Sequence, residues 1–199
     1  MNVKSVVVCG VGGQGIVLAS DVLSEVLFRA GYEVKKNEIH GMSQREGSVV
    51  SFVRWGDKVF SPVVSQGEAD ILMAFEYLEG LRYLPFLKKG GIGLISTQQI
   101  EPIPVKTGQM SYPPQRDDLF RCVGQLLMIE AESLSREAGN PRVTNTLFLG
   151  VLSCFLPEVE EKHWMEVLAS MIKPDYLEVN KKAFSLGKDV GRKFLKEKL

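Results

Sequence analysis

Val6-Val7-Val8-Cys9-Gly10-Val11-Gly12-Gly13-Gln14-Gly15 is the stretch that decides the fold. The β-branched run at 3–9 reads as a strand buried on both faces. The glycines that follow permit a tight turn. Ile16, Val17, Ala19, Leu23, Val26 and Leu27 then recur at helical spacing, with Asp21, Glu25 and Arg29 on the wet face and Gly31 as a C-cap. A second strand is expected at 32–39. This strand, helix and strand should close as a right-handed parallel crossover. Gly10 to Gly15 also fits G-x-G-x-x-G, with a strand before it and a helix after it. Such a turn lets an anion approach backbone N–H groups at the positive end of a helix. Gly10, Gly12, Gly13, Gln14 and Gly15 are therefore candidate cofactor-binding residues; the alternative is a close-packed turn without a ligand. A nicotinamide dinucleotide would also need an acid roughly 20 positions further on. Glu38, 23 residues after Gly15, stands at that distance, and equally reads as an exposed strand residue.

The polar loop His40-Gly41-Met42-Ser43-Gln44-Arg45-Glu46-Gly47 comes next. At the carboxyl end of a parallel strand it would share a rim with the glycine turn. His40 brings acid–base capacity near neutral pH and Arg45 a fork for carboxylate or phosphate. These two are the candidate catalytic or contact residues, with Ser43 and Gln44 as candidate cofactor contacts. A merely solvated connection is the competing reading.

Further along, two β-rich runs at 48–55 and 58–64 flank Gly56-Asp57 and read as an inserted hairpin. A strand is expected at 70–75, a helix at 76–89 closed by Gly90-Gly91, and a strand at 92–96. The four prolines within 101–114 mark an irregular connection. Leu119, Val123, Leu126, Leu127 and Leu134 suggest one long helix ending at Gly139, and 143–156 a helix buried all round. Amphipathic helices at 160–172 and 175–199 complete the chain. The fold class expected is a three-layer, Rossmann-like α/β domain spanning 1–199, with a mostly parallel sheet, an inserted β-hairpin and C-terminal helices.

Composition narrows the function. The chain has 199 residues, 45% of them apolar, and 24 basic side chains balance 24 acidic ones. That balance argues against a broad nucleic-acid surface and against a disordered charged regulator. Cys9, Cys122 and Cys154 are too far apart for a C-x-x-C site, so no cluster or structural zinc signature is present. Sparse, odd cysteines fit a reducing cytoplasm. No apolar run approaches the roughly 20 residues of a membrane span, and the apolar run at 6–9 is too short for a signal-peptide core. The motifs G-x-S-x-G, H-E-x-x-H and G-x-x-x-x-G-K-[ST] are absent. Gly56-Asp57 is followed by Lys58 rather than glycine, so it does not read as a thiamine signature. His163 beside Trp164 reads as structural, and the basic stretch at 188–198 as a solvated helix end.

With the glycine turn, the block Glu38-Ile39-His40-Gly41-Met42-Ser43-Gln44-Arg45-Glu46-Gly47-Ser48-Val49 resembles the small (beta or gamma) subunit of the 2-oxoacid:ferredoxin oxidoreductases, the indolepyruvate enzymes above all. Ser61-Pro62, Ala69-Asp70-Ile71-Leu72, Phe75-Glu76, Leu81-Arg82 and Gly90-Gly91 extend the resemblance. So do Asn145, Leu149-Gly150, Leu152-Ser153, Glu178-Val179-Asn180, Ala183-Phe184 and Gly187. The resemblance implies a non-autonomous subunit in coenzyme-A-dependent oxidative decarboxylation of a 2-oxoacid, pyruvate or an aryl pyruvate such as indolepyruvate. Electrons would pass to ferredoxin. It implies a hetero-oligomer in which a large partner subunit holds thiamine diphosphate and the [4Fe–4S] clusters. The glycine turn and H-G-M-S-Q-R loop would line the reaction cleft or help bind coenzyme A. Two other readings stand beside it: a free-standing NAD(P)-binding oxidoreductase, and a structural docking module without a ligand.

Overall fold

The computed structural model describes residues 3–40, 47–114, 120 and 123–198. One six-stranded sheet organises them, in the order β2-β3-β1-β4-β5-β6. The strands are β1 (Lys4–Val11), β2 (Glu33–His40), β3 (Ser48–Gly56), β4 (Ala69–Ala74), β5 (Leu87–Ser96) and β6 (Gln125–Ile129). β1, β4, β5 and β6 pair in parallel, whereas β3 runs antiparallel to both β1 and β2. β1 is buried along nearly its whole length, as its unbroken Val-rich run requires.

One face of the sheet is covered by α1 (Ile16–Arg29), α4 (Ala131–Ala138), α5 (Thr144–Ser153), α6 (Glu161–Met171) and α7 (Pro174–Glu197). The other face carries α2 (Tyr77–Tyr83) and a 3-10 turn at Leu84–Phe86, with Val64, Tyr112 and Phe120 in its core. The one-turn helix α3 (Ile103–Lys106) follows β5 in the chain. Two apolar cores, one on each side of a mostly parallel sheet, are the three-layer α/β arrangement the sequence implies.

Four local expectations change. First, β1 and β2 do run in the same direction, but β3 lies between them, so the crossover does not join neighbours. Second, the hairpin is β2–β3, closed across the polar loop, rather than 48–55 with 58–64. The second run forms no strand: Pro62 has no N–H to give a ladder, and Arg54 Nη1 donates to the Val63 carbonyl at 2.7 Å. Third, the helix expected at 76–89 stops at Tyr83. Pro85 enters the 3-10 turn, and Gly90-Gly91 lies inside β5. Fourth, the long helix expected to end at Gly139 is a strand followed by a short helix. Leu127 packs with the α1 side while Leu126 and Met128 pack with the α2 side, a period of two.

Gly139 ends α4 in the left-handed region at φ 112°. Its Cβ would meet nothing closer than 3.8 Å, so replacement costs backbone strain alone. Gly139→Ala is expected to lose about 1 kcal/mol, readable in urea denaturation.

Candidate functional site

The strand order reverses direction between β1 and β4. Helix α1 leaves β1 over one face and α2 leaves β4 over the other. In open α/β sheets the carboxyl ends at such a point form a crevice. The glycine turn and Phe75-Glu76 occupy that crevice. Gln14 plugs it. Its Oε1 accepts the Val11 N–H at 2.8 Å, and its Nε2 donates to the Phe75 carbonyl at 2.9 Å and to Gln98 Oε1 at 3.0 Å. The glycines on either side make room for this plug and for its neighbour. A Cβ on Gly10 would stand 2.7 Å from Gln14 Oε1, and one on Gly15 would stand 2.8 Å from Asn145 Nδ2. Gly12 donates its N–H to the Gly47 carbonyl at 2.8 Å, which ties the turn to the base of the polar loop.

Gly13 is different. It is exposed, has φ +99°, and a Cβ there would meet nothing within 4 Å. Beside it α1 begins without a capping side chain among the described residues. The open end of the helix dipole therefore faces solvent at Gly13, a place suited to an anion.

His40 ends β2 on the same rim. The register sets His40 opposite Val49, and Val49 opposite Gly10, so the expectation of a shared rim holds for the backbone. Ser43, Gln44 and Arg45 lie outside the described residues. Glu38 is on β2, with β3 interposed, roughly two strand spacings or 9.6 Å from β1 instead of one. It is also within 3.6 Å of Lys36 Nζ. That placement removes the ribose-binding acid that a nicotinamide reading needs beside the turn. Further along the rim, a cleft of about 690 Å³ opens at the ends of β5 and β6, lined by Thr97, Gln98, Glu130 and Arg136.

Sequence reasoning missed a buried polar cluster beneath this rim. Glu76 is 1% exposed and Glu79 4%. Glu76 caps α2: its Oε2 accepts the Glu79 N–H at 2.8 Å, and its Oε1 accepts from the Ile100 N–H and the Tyr112 hydroxyl. Glu79 accepts from the Ser48 hydroxyl and stands 3.2 Å from Arg82 Nε. Ser48 is the first residue of β3 and follows Gly47, so Glu79 steadies the same strand start that receives the Gly12 N–H. The signal available in the sequence was Glu76 and Glu79 three apart at the start of a helix. Burial pushes the Glu79 carboxyl up despite Ser48 and Arg82, and it pushes the Tyr112 hydroxyl and the Cys9 thiol up as well. For Glu79 the sign is that of an acid favoured neutral in the fold. Its contribution to stability is present below its ordinary value of 4.5 and is lost as pH rises through the elevated one. Glu79→Gln should therefore gain stability relative to the parent between pH 4.5 and 7, as read by thermal melts across that range. A relative loss with rising pH would contradict the assignment.

Comparison with known proteins follows the same geometry. A family model described as pyruvate ferredoxin/flavodoxin oxidoreductase matches residues 5–190. The chain belongs to this family. Among its relatives is indolepyruvate oxidoreductase subunit IorB of Pyrococcus horikoshii, 39% identical over 98% of this chain and 99% of that one. The IorB subunit of Archaeoglobus fulgidus is 33% identical over 92% of each chain. The common gamma subunit of the pyruvate/ketoisovalerate oxidoreductases of Thermococcus kodakarensis is 26% identical over 72% of this chain and 73% of its own. Among solved structures, the gamma subunit of a keto/oxoacid ferredoxin oxidoreductase from Geobacter sulfurreducens superimposes with a TM-score of 0.72, at 21% identity, over 96% of this chain and 99% of that one. A 2-oxoglutarate:ferredoxin oxidoreductase from Magnetococcus marinus, with 2-oxoglutarate, coenzyme A and succinyl-CoA bound, gives 0.74 at 21% identity over 97% of this chain and 32% of that longer one. At that identity the two structures speak for the fold.

This member of the pyruvate ferredoxin/flavodoxin oxidoreductase family is thus an oxidoreductase subunit with a Rossmann-like frame and a plugged crevice. Among the described residues no three His, Cys, Asp or Glu side chains come together in a way that could hold a metal ion. Cys9 is fully buried among apolar side chains, and its thiol donates to the Glu79 carbonyl at 3.6 Å. Cys154 sits by α7, so the described cysteines do not fit cluster ligation. No described helix is long and apolar enough to cross a membrane.

Proposed function

We propose that residues 1–199 form the single gamma-type domain of a 2-oxoacid:ferredoxin oxidoreductase acting on indolepyruvate or another aryl pyruvate. The observation that carries this reading is the end-to-end identity of 39% with an indolepyruvate oxidoreductase subunit. In this account the chain works in the cytoplasm within a hetero-oligomer. A large partner subunit holds thiamine diphosphate and the [4Fe–4S] clusters and supplies the carbon and electron chemistry. Ferredoxin accepts the electrons released as the 2-oxoacid is decarboxylated and its acyl group passes to coenzyme A.

The chain's own part is to bind and orient. Backbone N–H groups at Gly13 and the start of α1 receive an anionic group of coenzyme A. His40, Ser43, Gln44 and Arg45 complete the contact from the polar loop. Gly10, Gly12, Gln14 and Gly15 hold the turn in shape from within. Support for this division comes from the open space at Gly13 and the internal bonds of Gln14 and Gly12.

Gly13→Asp tests it in the assembled enzyme. Aspartate tolerates a left-handed φ better than most residues and suits a helix N-terminus, so the fold should persist. Its charge should repel the coenzyme, raising the KM for coenzyme A about tenfold or more, because a like charge a few ångströms away costs roughly 1–4 kcal/mol. Little change is expected in kcat or in subunit stoichiometry. An unchanged KM in a normally assembled complex would remove the turn from coenzyme binding.

A further inference from the structure

A second concavity, away from the carboxyl-end rim, has the character of a ligand site. It encloses about 490 Å³ where the first turns of α1, α5 and α7 converge. Leu18 comes from α1, Val143 and Asn145 from the entry to α5, and Lys173 and Tyr176 from the start of α7. The starts of α5 and α7 and the ends of α4 and α6 meet there, so helix dipole ends of both signs border the space. Two cations join them: Arg142 and Lys173 both line the cavity, and neither has a carboxylate partner among the described residues. No carboxylate lines the cavity.

Asn145 adds a polar donor to this wall. It is only 5% exposed, and its Oδ1 accepts the Thr146 N–H at 2.9 Å. Its Nδ2, however, finds no acceptor among the described residues, although the side chain lines the cavity. Water reaches this donor from the cavity, and a ligand acceptor would replace that water. By contrast, Asn180 on the far wall is fully engaged: its Oδ1 accepts the Thr146 hydroxyl at 2.6 Å and its Nδ2 donates to the Tyr176 carbonyl at 2.7 Å. The remaining wall is apolar. Leu18 and Met171 are large hydrophobic side chains left 37% exposed, and the Tyr176 ring stands beside them. Unpaired cations, an open amide donor and an exposed apolar wall together match a ligand with an anionic head and an apolar or aromatic body.

We propose that this cavity binds a small organic anion, a phosphate or carboxylate carried on an apolar or aromatic body. The head would lie between Arg142, Lys173 and Asn145, and the body against Leu18, Met171 and Tyr176. The site shares no lining residue with the glycine turn, and it does not depend on the function proposed above. Asn145 nevertheless touches Gly15, so an occupant would bear on the turn from behind.

Calorimetric titration of the full-length chain at low salt tests this, with ADP, indole-3-acetate and inorganic phosphate as probes. ADP or indole-3-acetate should saturate one site with a Kd on the order of 100 µM or tighter, and inorganic phosphate should bind more weakly for lack of a body. Preference between the two organic probes identifies the head as phosphate or carboxylate. The double variant Arg142→Ala, Lys173→Ala changes exposed side chains and should keep the fold, yet it should weaken binding about tenfold or more. Tyr176→Ala should weaken the organic probes and spare inorganic phosphate. Gly13→Asp should leave this binding unchanged. The proposal is overturned if neither organic probe saturates, if inorganic phosphate binds as tightly as they do, if the double variant binds normally, or if Gly13→Asp abolishes binding. The last result would assign the ligand to the rim.

Discussion

Gly187→Ala is expected to lower the melting temperature by about 6–12 °C, the shift that roughly 3 kcal/mol of overpacking produces in a domain of this size. The direction runs against helix propensity, because alanine stabilises an exposed helix interior by about 1 kcal/mol over glycine. The cause is the seam between α5 and α7. A Cβ at Gly187 would stand 2.0 Å from the Leu147 carbonyl oxygen, and one at Gly150 would stand 2.1 Å from the Phe184 carbonyl oxygen. Both obstacles are backbone, so no side chain can swing aside. The helices would have to part, loosening the Trp164–Phe184 packing, whose ring centroids lie 5.6 Å apart, along with the buried Leu147. Gly150→Ala should behave alike. Thermal circular dichroism reads both, and a raised melting temperature would refute the close approach.

Gln14→Leu is the second large effect. Leucine fills a similar volume but cannot hydrogen-bond. It would leave the Val11 N–H and the Phe75 carbonyl without their partner at the β1–β4 crevice. Each stranded group costs about 1–3 kcal/mol, so a loss of roughly 2–5 kcal/mol is expected in urea denaturation. Gln14→Glu restores only the acceptor and should recover part of that loss at most, since it cannot donate to Phe75. If Gln14 were chiefly a ligand contact, stability would be nearly unchanged and only coenzyme affinity would fall.

These two positions also show what was legible in the sequence. The strand, glycine turn and helix at 3–29 could be read directly, because β-branched burial, glycine spacing and a 3.6-residue period agreed there. The buried α5 was legible from its lack of a polar face. The segment at 125–129 was not. Leu126 and Leu127 sit at helical spacing from Leu134 and Val123, and only contact with opposite sides of the sheet reveals the strand. The hairpin partner was misassigned because Gly56-Asp57 gives a turn signal locally, while β3 pairs instead with β2, which precedes it in the chain. At the candidate site, the fingerprint marked the turn at the β1–β4 crevice, and the structure gives its residues different surroundings. Spacing alone cannot tell a glycine beside open space, such as Gly13, from one that makes room for its own chain's Gln14 or Asn145. Glu79 was invisible for a related reason: an acid at a helix start ordinarily reads as solvated, and only the fold buries it against Ser48.

The central claim is that this chain is an obligate partner in a 2-oxoacid:ferredoxin oxidoreductase. The direct measurement is coenzyme-A-dependent reduction of ferredoxin by indolepyruvate, using the chain co-purified with its large partner subunit and each component alone. The account predicts a stoichiometric brown complex that is active with indolepyruvate, and no activity from either subunit by itself. A colourless, partnerless chain that reduces or oxidises a nicotinamide cofactor unaided would contradict it.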